Sequence, residues 1–370
     1  LRPMQHIGID ARLTYYRTGG ISTYIRRLIT ALEQLDHEHQ YTVFQSRKAG
    51  ETIVERFGAA KLWTPAHHRI ERLALTVELA RFGLDLLHSP DFIPPLHGAR
   101  RHVVTVHDLT FLHYPDFLTA DARRYYNDQI AWAVRHADHI LVDSEATRRD
   151  LIQMLHVPDD KITVHMLGVE PQFRPPPPDE LAHWRTQLDL PASYILFVGT
   201  FEPRKNIAGL LKAYTALAQR WPDTTPPLVL AGTRGWRFEE TMAEIAQMNL
   251  GSRVLWRENI PQQAMPALYA QATVLVLPSF YEGFGLPALE AMACGTVPIV
   301  SNRSSLPEVT GDVGLQIDPD HLDTLIAALE KALRDDTWRQ TQQQRGLARA
   351  AEFTWQRTAE IALGVYRSLL

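Results

Sequence analysis

A chain of 370 residues is longer than one ordinary hydrophobic core fills, so two domains are the first expectation. With 45% hydrophobic and 22% charged residues, a net charge of -4 and a pI near 6.5, its composition is that of a soluble globular protein with no general affinity for nucleic acid. The lone Cys294 excludes an internal disulfide framework, and no apolar run approaches the ~20 residues of a membrane span.

No secretory signal is visible, and Leu1-Arg2-Pro3 reads as a remnant ahead of a natural start at Met4, so a cytoplasmic location is expected. His6 to Asp10 reads as a strand. Gly19-Gly20 then leads into a helix with Ile21, Tyr24, Ile25, Leu28, Ile29, Leu32 and Leu35 at helical spacing. This turn is not G-x-G-x-x-G, so a dinucleotide fingerprint is absent. Further strands are predicted at Tyr41 to Gln45, Leu86 to Ser89, Val103 to His107, His139 to Asp143 and Ile162 to Met166, with helical stretches between them. Such alternation argues a parallel sheet covered on both faces.

Arg174 is followed by four prolines, Pro175 to Pro178, which favour a stiff extended segment and mark the domain boundary. The expected division is 1–172, a linker at 173–190, and 191–354, with 355–370 packing back on the first domain. After the prolines the alternation restarts, with strands at Tyr194 to Gly199, Pro227 to Gly232, Arg253 to Trp256, Val274 to Leu277, Pro298 to Ser301 and Val313 to Ile317. Pro287 and Gly295 bracket a short helix from Pro287 to Cys294. The final segment carries Trp355, Ile361, Ala362, Val365, Tyr366 and Leu369 on one helical face.

Open parallel sheets bind ligands beyond the carboxyl ends of their strands. The sequence places Arg12 and Gly19-Gly20 after the first strand, and His107 and Asp108 after Val103 to Val106. After Ile195 to Gly199 come Thr200, Glu202, Arg204 and Lys205, with Asn206 placed to cap the next helix. After Val274 to Leu277 comes the loop Glu282-Gly283-Phe284-Gly285, then a helix bearing Glu290. A cationic pair directly before a capped helix start suits phosphate, although a solvated loop is the plain alternative. His107 is one of 16 histidines, and a strand-end histidine is as readily structural as functional. Cys294 reads as a small buried hydrophobe.

No H-E-x-x-H or paired Cys-x-x-Cys spacing exists, and Asp318-Pro319-Asp320 reads as a turn, so a metal site is not expected. Glu282 and Glu290 could be taken for paired catalytic carboxylates. Eight residues of continuous helix span ~12 Å, whereas retaining glycosidases hold their carboxyls about 5–5.5 Å apart. Separate tasks at the two ends of an extended ligand fit better.

The run from Glu282 to Glu290 resembles the Glu-x7-Glu signature of family 4 retaining glycosyltransferases, the glycosyl transferases group 1. Phe197 to Asn206 and Ser301 to Glu308 are similar to its neighbouring blocks, and Thr105 to Asp108 and Gly19-Gly20 to its N-terminal ones. The resemblance spans nearly the whole chain and implies the α/β GT-B fold, two Rossmann-like domains with parallel sheets facing across a cleft. It implies transfer of a sugar from a nucleotide diphosphate donor with retention and without a metal or other cofactor. By that resemblance Glu290 grips the donor ribose and Glu282 the hexose hydroxyls. The amides of Gly283, Phe284, Gly285 and Leu286 hold hexose and diphosphate, and Lys205 holds the diphosphate. His107 faces the transferred sugar, and Gly20 lies near the phosphates or acceptor.

One departure stands out. Many members carry arginine directly after the Phe-Val-Gly strand, where this chain has Thr200, and Arg204 is the candidate replacement cation. The Gly-Thr-x-Glu-Pro-Arg-Lys-Asn form resembles mannosyltransferase members and favours GDP-mannose as donor, with a saccharide or lipid-linked acceptor. A UDP-sugar transferase of the same family is the alternative, followed by a nucleotide-sugar 2-epimerase and a non-catalytic binder. Arg26, Arg27, Arg123 and Arg124 are candidates for a peripheral membrane contact, weighed against a merely solvated face. The sequence is silent on oligomeric state.

Overall fold

Among the described residues, every strand pairing in the two sheets is parallel. The computed structural model describes residues 4–16, 19–68, 70–117, 120–235, 238–247 and 250–370; Leu1-Arg2-Pro3, read above as a remnant, lies outside them. The chain forms two units. One comprises Leu1–Gly168 with Thr354–Leu370, the other Val169–Phe353.

The first unit contains β1 (His6–Asp10), β2 (Gln40–Ser46), β3 (Gly58–Leu62), β4 (Leu84–Ser89), β5 (Ala99–Val106), β6 (His139–Val142) and β7 (Ile162–Val164), in the order β3-β2-β1-β4-β5-β6-β7. Six of these follow from hydrophobic runs. β3 does not, because Gly-Ala-Ala-Lys-Leu offers one large apolar side chain, Leu62, and as an edge strand it buries only that one. The helix Gly20–Leu35 buries Tyr24, Ile25, Leu28, Ile29 and Leu32, as its spacing predicts, while Ile21 and Leu35 at its ends are only partly covered.

The helix Trp355–Leu369 packs against Gly20–Leu35 in this same unit. Trp355, Ala362, Val365 and Tyr366 are buried, while Ile361 and Leu369 are only partly so. Thr358 donates to the Met166 carbonyl at 2.7 Å, and the Tyr366 hydroxyl lies 2.6 Å from His88 Nδ1.

The second unit contains β8 (Ile195–Val198), β9 (Leu228–Ala231), β10 (Val254–Arg257), β11 (Val274–Leu277), β12 (Val297–Ser301) and β13 (Leu315–Ile317), in the order β10-β9-β8-β11-β12-β13. β11 is buried at all four positions, as a central strand covered on both faces requires.

The proline-rich segment differs from expectation. Residues 173–190 belong to the second unit, and Pro178 opens a helix, Pro178–Gln187, rather than closing an extended spacer. Proline fits a first helical turn because its missing N–H has no partner there in any case, and Asp179 and Glu180 suit the positive end of the helix dipole. Arg185 fixes this helix by donating to Gln271 Oε1 at 2.6 Å.

Candidate active site

In each sheet the strand order reverses once, between β1 and β4 and between β8 and β11, and such reversals open a crevice at the carboxyl ends. In the second unit both bordering strands deliver charged groups to it. After β8, a short turn, Pro203–Lys205, presents Arg204 and Lys205, and Asn206 adopts a left-handed conformation (φ 53) to cap the following helix through Gly209 N–H. After β11, the loop delivers Glu282.

These residues meet. Lys205 Nζ donates to Glu282 Oε1 at 2.6 Å and Oε2 at 2.7 Å. Arg204 Nη1 donates to Oε2 at 3.0 Å and to the Tyr281 carbonyl at 3.1 Å, while its Nε holds Glu202 at 2.9 Å. Ser279 Oγ adds a further bond to Glu282 Oε1 at 2.7 Å. Burial works against a charge on Glu282, but Lys205 and Arg204 outweigh it and hold the carboxyl at about 2. Burial lowers Lys205 from its ordinary value, with Glu282 opposing. Glu282 is thus an ionised carboxylate fixing two cations.

The loop itself is pinned from the β12 side. Ser304 donates to the Glu282 carbonyl, and Ser305 Oγ contacts the Glu282 and Phe284 carbonyls at 2.8 and 2.7 Å. Gly285 precedes the helix Leu286–Ala293 at φ 106, and a Cβ there would lie 2.6 Å from Leu306 Cδ2. Only glycine satisfies both constraints. The helix starts one residue earlier than predicted, so Pro287 is its second residue.

Glu290, on this helix, is separate from Glu282. Its Oε2 accepts a 2.6 Å hydrogen bond from the Tyr269 hydroxyl. Burial and the nearby Glu170 push its carboxyl up to about 8, against the pull of Tyr269. The two glutamates therefore have opposite electrostatics, one locked ionised and one on the edge of protonation at neutral pH. Thr200 follows β8 and is partly buried; Arg204, four residues on, shares its carboxylate with Lys205.

Gly20 and His107 belong to the first unit. Gly20 is the first residue of the helix that follows β1, and Tyr24 of that helix meets the His107 ring edge-on at 5.0 Å. His107 stands directly after β5, with Nδ1 2.7 Å from Asp143 Oδ2 and Nε2 3.1 Å from the Pro90 carbonyl. Both partners are acceptors, so with both bonds made the ring is an imidazolium. Burial disfavours that charge, and Asp143 and Asp91 outweigh it, raising His107 to about 9.

A family model described as "Glycosyl transferases group 1" matches residues 179–350, and one described as "Glycosyltransferase Family 4" matches residues 18–173. The O-antigen chain mannosyltransferase B of Escherichia coli is 37% identical over 285 residues, covering 77% of this chain and 74% of that protein. The chain belongs to the family 4 glycosyltransferases. The serotype-specific mannosyltransferase WbdA of Escherichia coli is 29% identical over 76% of this glycosyltransferase, which spans only 36% of WbdA. Among solved structures, the sucrose-phosphate synthase of Thermosynechococcus elongatus superposes with a TM-score of 0.77 at 24% identity over 99% of both chains. That likeness gives this glycosyltransferase the GT-B fold.

The structure adds residues around the predicted ones: Tyr269 behind Glu290, Ser279 and Ser305 around Glu282, and Asp143 behind His107. Asp143 stands directly after β6, so the strand-end rule that selected His107 also reaches it. Tyr269 carries no such signal, being one apolar position on the helix Met265–Ala270. Among the described residues, no helix is long and apolar enough to cross a membrane. Arg26, Arg123 and Arg124 are exposed, Arg27 partly.

Proposed function

We propose that this glycosyltransferase is a retaining, metal-independent hexosyltransferase that moves mannose from GDP-mannose to a saccharide or lipid-linked acceptor. The observation that carries the reading is the meeting of Arg204 and Lys205 with Glu282 at the strand-order reversal of the second sheet. The chemical difficulty is negative charge on the departing diphosphate. Two fixed cations and the amides opening the helix Leu286–Ala293 are suited to stabilise it, the task a divalent ion performs elsewhere. The relatives named as mannosyltransferases support the sugar.

In this reading the acceptor oxygen bonds to the anomeric carbon on the face from which the diphosphate oxygen leaves, through an oxocarbenium-like state. The acceptor proton passes to the departing diphosphate oxygen. Lys205 and Arg204 hold that diphosphate, Glu282 fixes both cations and reaches the hexose hydroxyls, Glu290 takes the ribose, and His107 contacts the transferred sugar. The amides of Gly283 to Leu286 hold hexose and diphosphate, and Gly20 takes the phosphates or acceptor. Arg26, Arg123 and Arg124, each exposed, are the candidates for a peripheral membrane contact where the acceptor is a lipid.

The test is a thermal-shift screen of nucleoside diphosphates and their sugars, since a ligand of the folded state raises the melting point with concentration. Turnover of the best donor with a saccharide acceptor follows, with the product's anomeric configuration read by NMR. Stabilisation by GDP-mannose, an α-linked product from that α-linked donor and undiminished turnover in a chelator are expected. Inversion, loss of activity in the chelator, or near-normal turnover of Lys205→Ala would overturn the corresponding part.

A further inference from the structure

The second unit contains several buried tyrosines, and they do not all spend their hydroxyls alike. Tyr194 donates to the Leu268 carbonyl at 2.6 Å, and Tyr214 to the Pro226 carbonyl at 3.1 Å, so each satisfies a backbone acceptor as core tyrosines ordinarily do. Tyr269 is fully buried, yet its hydroxyl goes to the side chain of Glu290. Among the described residues no other hydrogen bond to that carboxyl group is recorded.

Tyr269 is itself immobilised. Its own carbonyl accepts from Thr296 Oγ1 at 2.6 Å, and Phe173 packs edge-on against its ring at 5.9 Å. A fixed donor on one carboxyl oxygen removes the rotation that Glu290 would otherwise keep about its side-chain bonds. It leaves Oε1 as the oxygen with acceptor capacity to spare. Glu170 adds negative charge nearby that favours the protonated form of Glu290, and the Tyr269 hydroxyl opposes this.

From this geometry we infer that Tyr269 is a positioning residue for Glu290, holding one carboxyl oxygen so that the other is presented to the ribose hydroxyls of a bound nucleotide. The inference rests on the reading of the site as a nucleotide-sugar site. A purely structural tyrosine would affect stability without regard to the ligand's hydroxyls. A positioning tyrosine affects the discrimination between a ribonucleotide and its deoxy counterpart.

The experiment is calorimetric titration of GDP and UDP, and of the 2′,3′-dideoxy form of whichever binds more tightly, into the wild-type chain, Tyr269→Phe, Glu290→Ala and the double variant. At pH 8.5, above the value near 8 at which Glu290 ionises, the wild type is expected to prefer the ribose form by about tenfold or more, the scale of a hydrogen bond to a charged group. Tyr269→Phe is expected to lose most of that preference while binding the dideoxy form as the wild type does. In a Glu290→Ala background, which has no acceptor for the Tyr269 hydroxyl, the same change should have no further effect on the preference, which a general packing defect would not reproduce. A Tyr269→Phe chain that keeps the wild-type preference overturns the inference alone. A wild type that binds both forms equally overturns the ribose assignment and the inference with it, and a wild type that binds neither diphosphate overturns the nucleotide-sugar reading and the inference together.

Discussion

Lys205 and Glu282 form a buried ion pair in which one ammonium group spans both carboxylate oxygens, at 2.6 and 2.7 Å, with Arg204 on the second oxygen. Removing one member of such a group strands charge in a medium that solvates it poorly. Lys205→Met leaves Glu282 with Arg204 and the Ser279 hydroxyl and is expected to cost about 3 kcal/mol, the low end for breaking a buried pair. Glu282→Gln should cost more, because two neighbouring cations then face each other without their shared anion. The double variant Lys205→Met/Glu282→Leu should regain stability over either single change while remaining inactive. Urea denaturation midpoints and donor turnover measure both, and a double variant less stable than both singles would contradict the pairing.

Gly285 offers a test of backbone geometry. With φ at 106 and Leu306 in the way of any Cβ, Gly285→Ala is expected to cost about 1–3 kcal/mol in strain. Donor affinity should fall with it, since the amides of the loop move. Shortening the obstacle with Leu306→Ala should not restore binding, because the dihedral strain persists. Recovery in that double variant would show that the clash alone matters.

Glu290 sets a pH dependence whose sign can be worked out. Its folded carboxyl is raised to about 8 by burial and Glu170, with Tyr269 pulling the other way. The folded state therefore binds its proton more tightly than the unfolded state does. Its contribution is fully present below the unfolded value near 4.5 and is lost as pH rises through about 8. Glu290→Gln keeps the shape without the charge, so its melting temperature should gain on the wild type progressively between pH 5 and 8.5. A constant difference across that range would show that Glu290 does not titrate there.

His107 runs by the rule for a base. Asp143 and Asp91 outweigh burial and raise it to about 9, so its pairing stabilises fully below its ordinary value near 6.5 and is lost as pH rises through 9. Asp143→Asn removes the largest raising influence and leaves burial to pull His107 down. NMR of the ring protons should show a charged His107 at pH 8 in the wild type and a neutral one in the variant.

How much of this was legible in the sequence depended on whether a residue's role is local. Gly285 and Pro287 announce a loop and a helix start, and the strand-end rule places Arg204, Lys205, Glu282 and His107 after their strands, where they stand, because a strand's carboxyl end is readable from its own apolar run. β3 was not legible, since an edge strand needs little apolar surface. Pro178 opens a helix because a run of prolines suits a helix's first turn as well as an extended spacer, and the helix it opens is tied down by Arg185 meeting Gln271, 86 residues away, which no local pattern shows. Tyr269 is of the same kind. Its partner lies 21 residues off on another helix, and nothing in its local pattern points there.

The chain leaves the first unit at Gly168 and re-enters it at Thr354. At that crossing Gly168 lies so close to the returning backbone that a Cβ would sit 2.2 Å from Trp355 N. Birth order on the ribosome makes this consequential. His88 acquires its Tyr366 partner 278 residues later, roughly 15–55 s at ordinary rates of synthesis. Until then the part of the helix Gly20–Leu35 against which Trp355–Leu369 packs, Tyr24 opposite Trp355 included, lacks its cover, so the half made first is the half completed last. A nascent chain stalled inside the second unit would carry an unsealed first unit, a natural target for chaperones that recognise exposed apolar grooves.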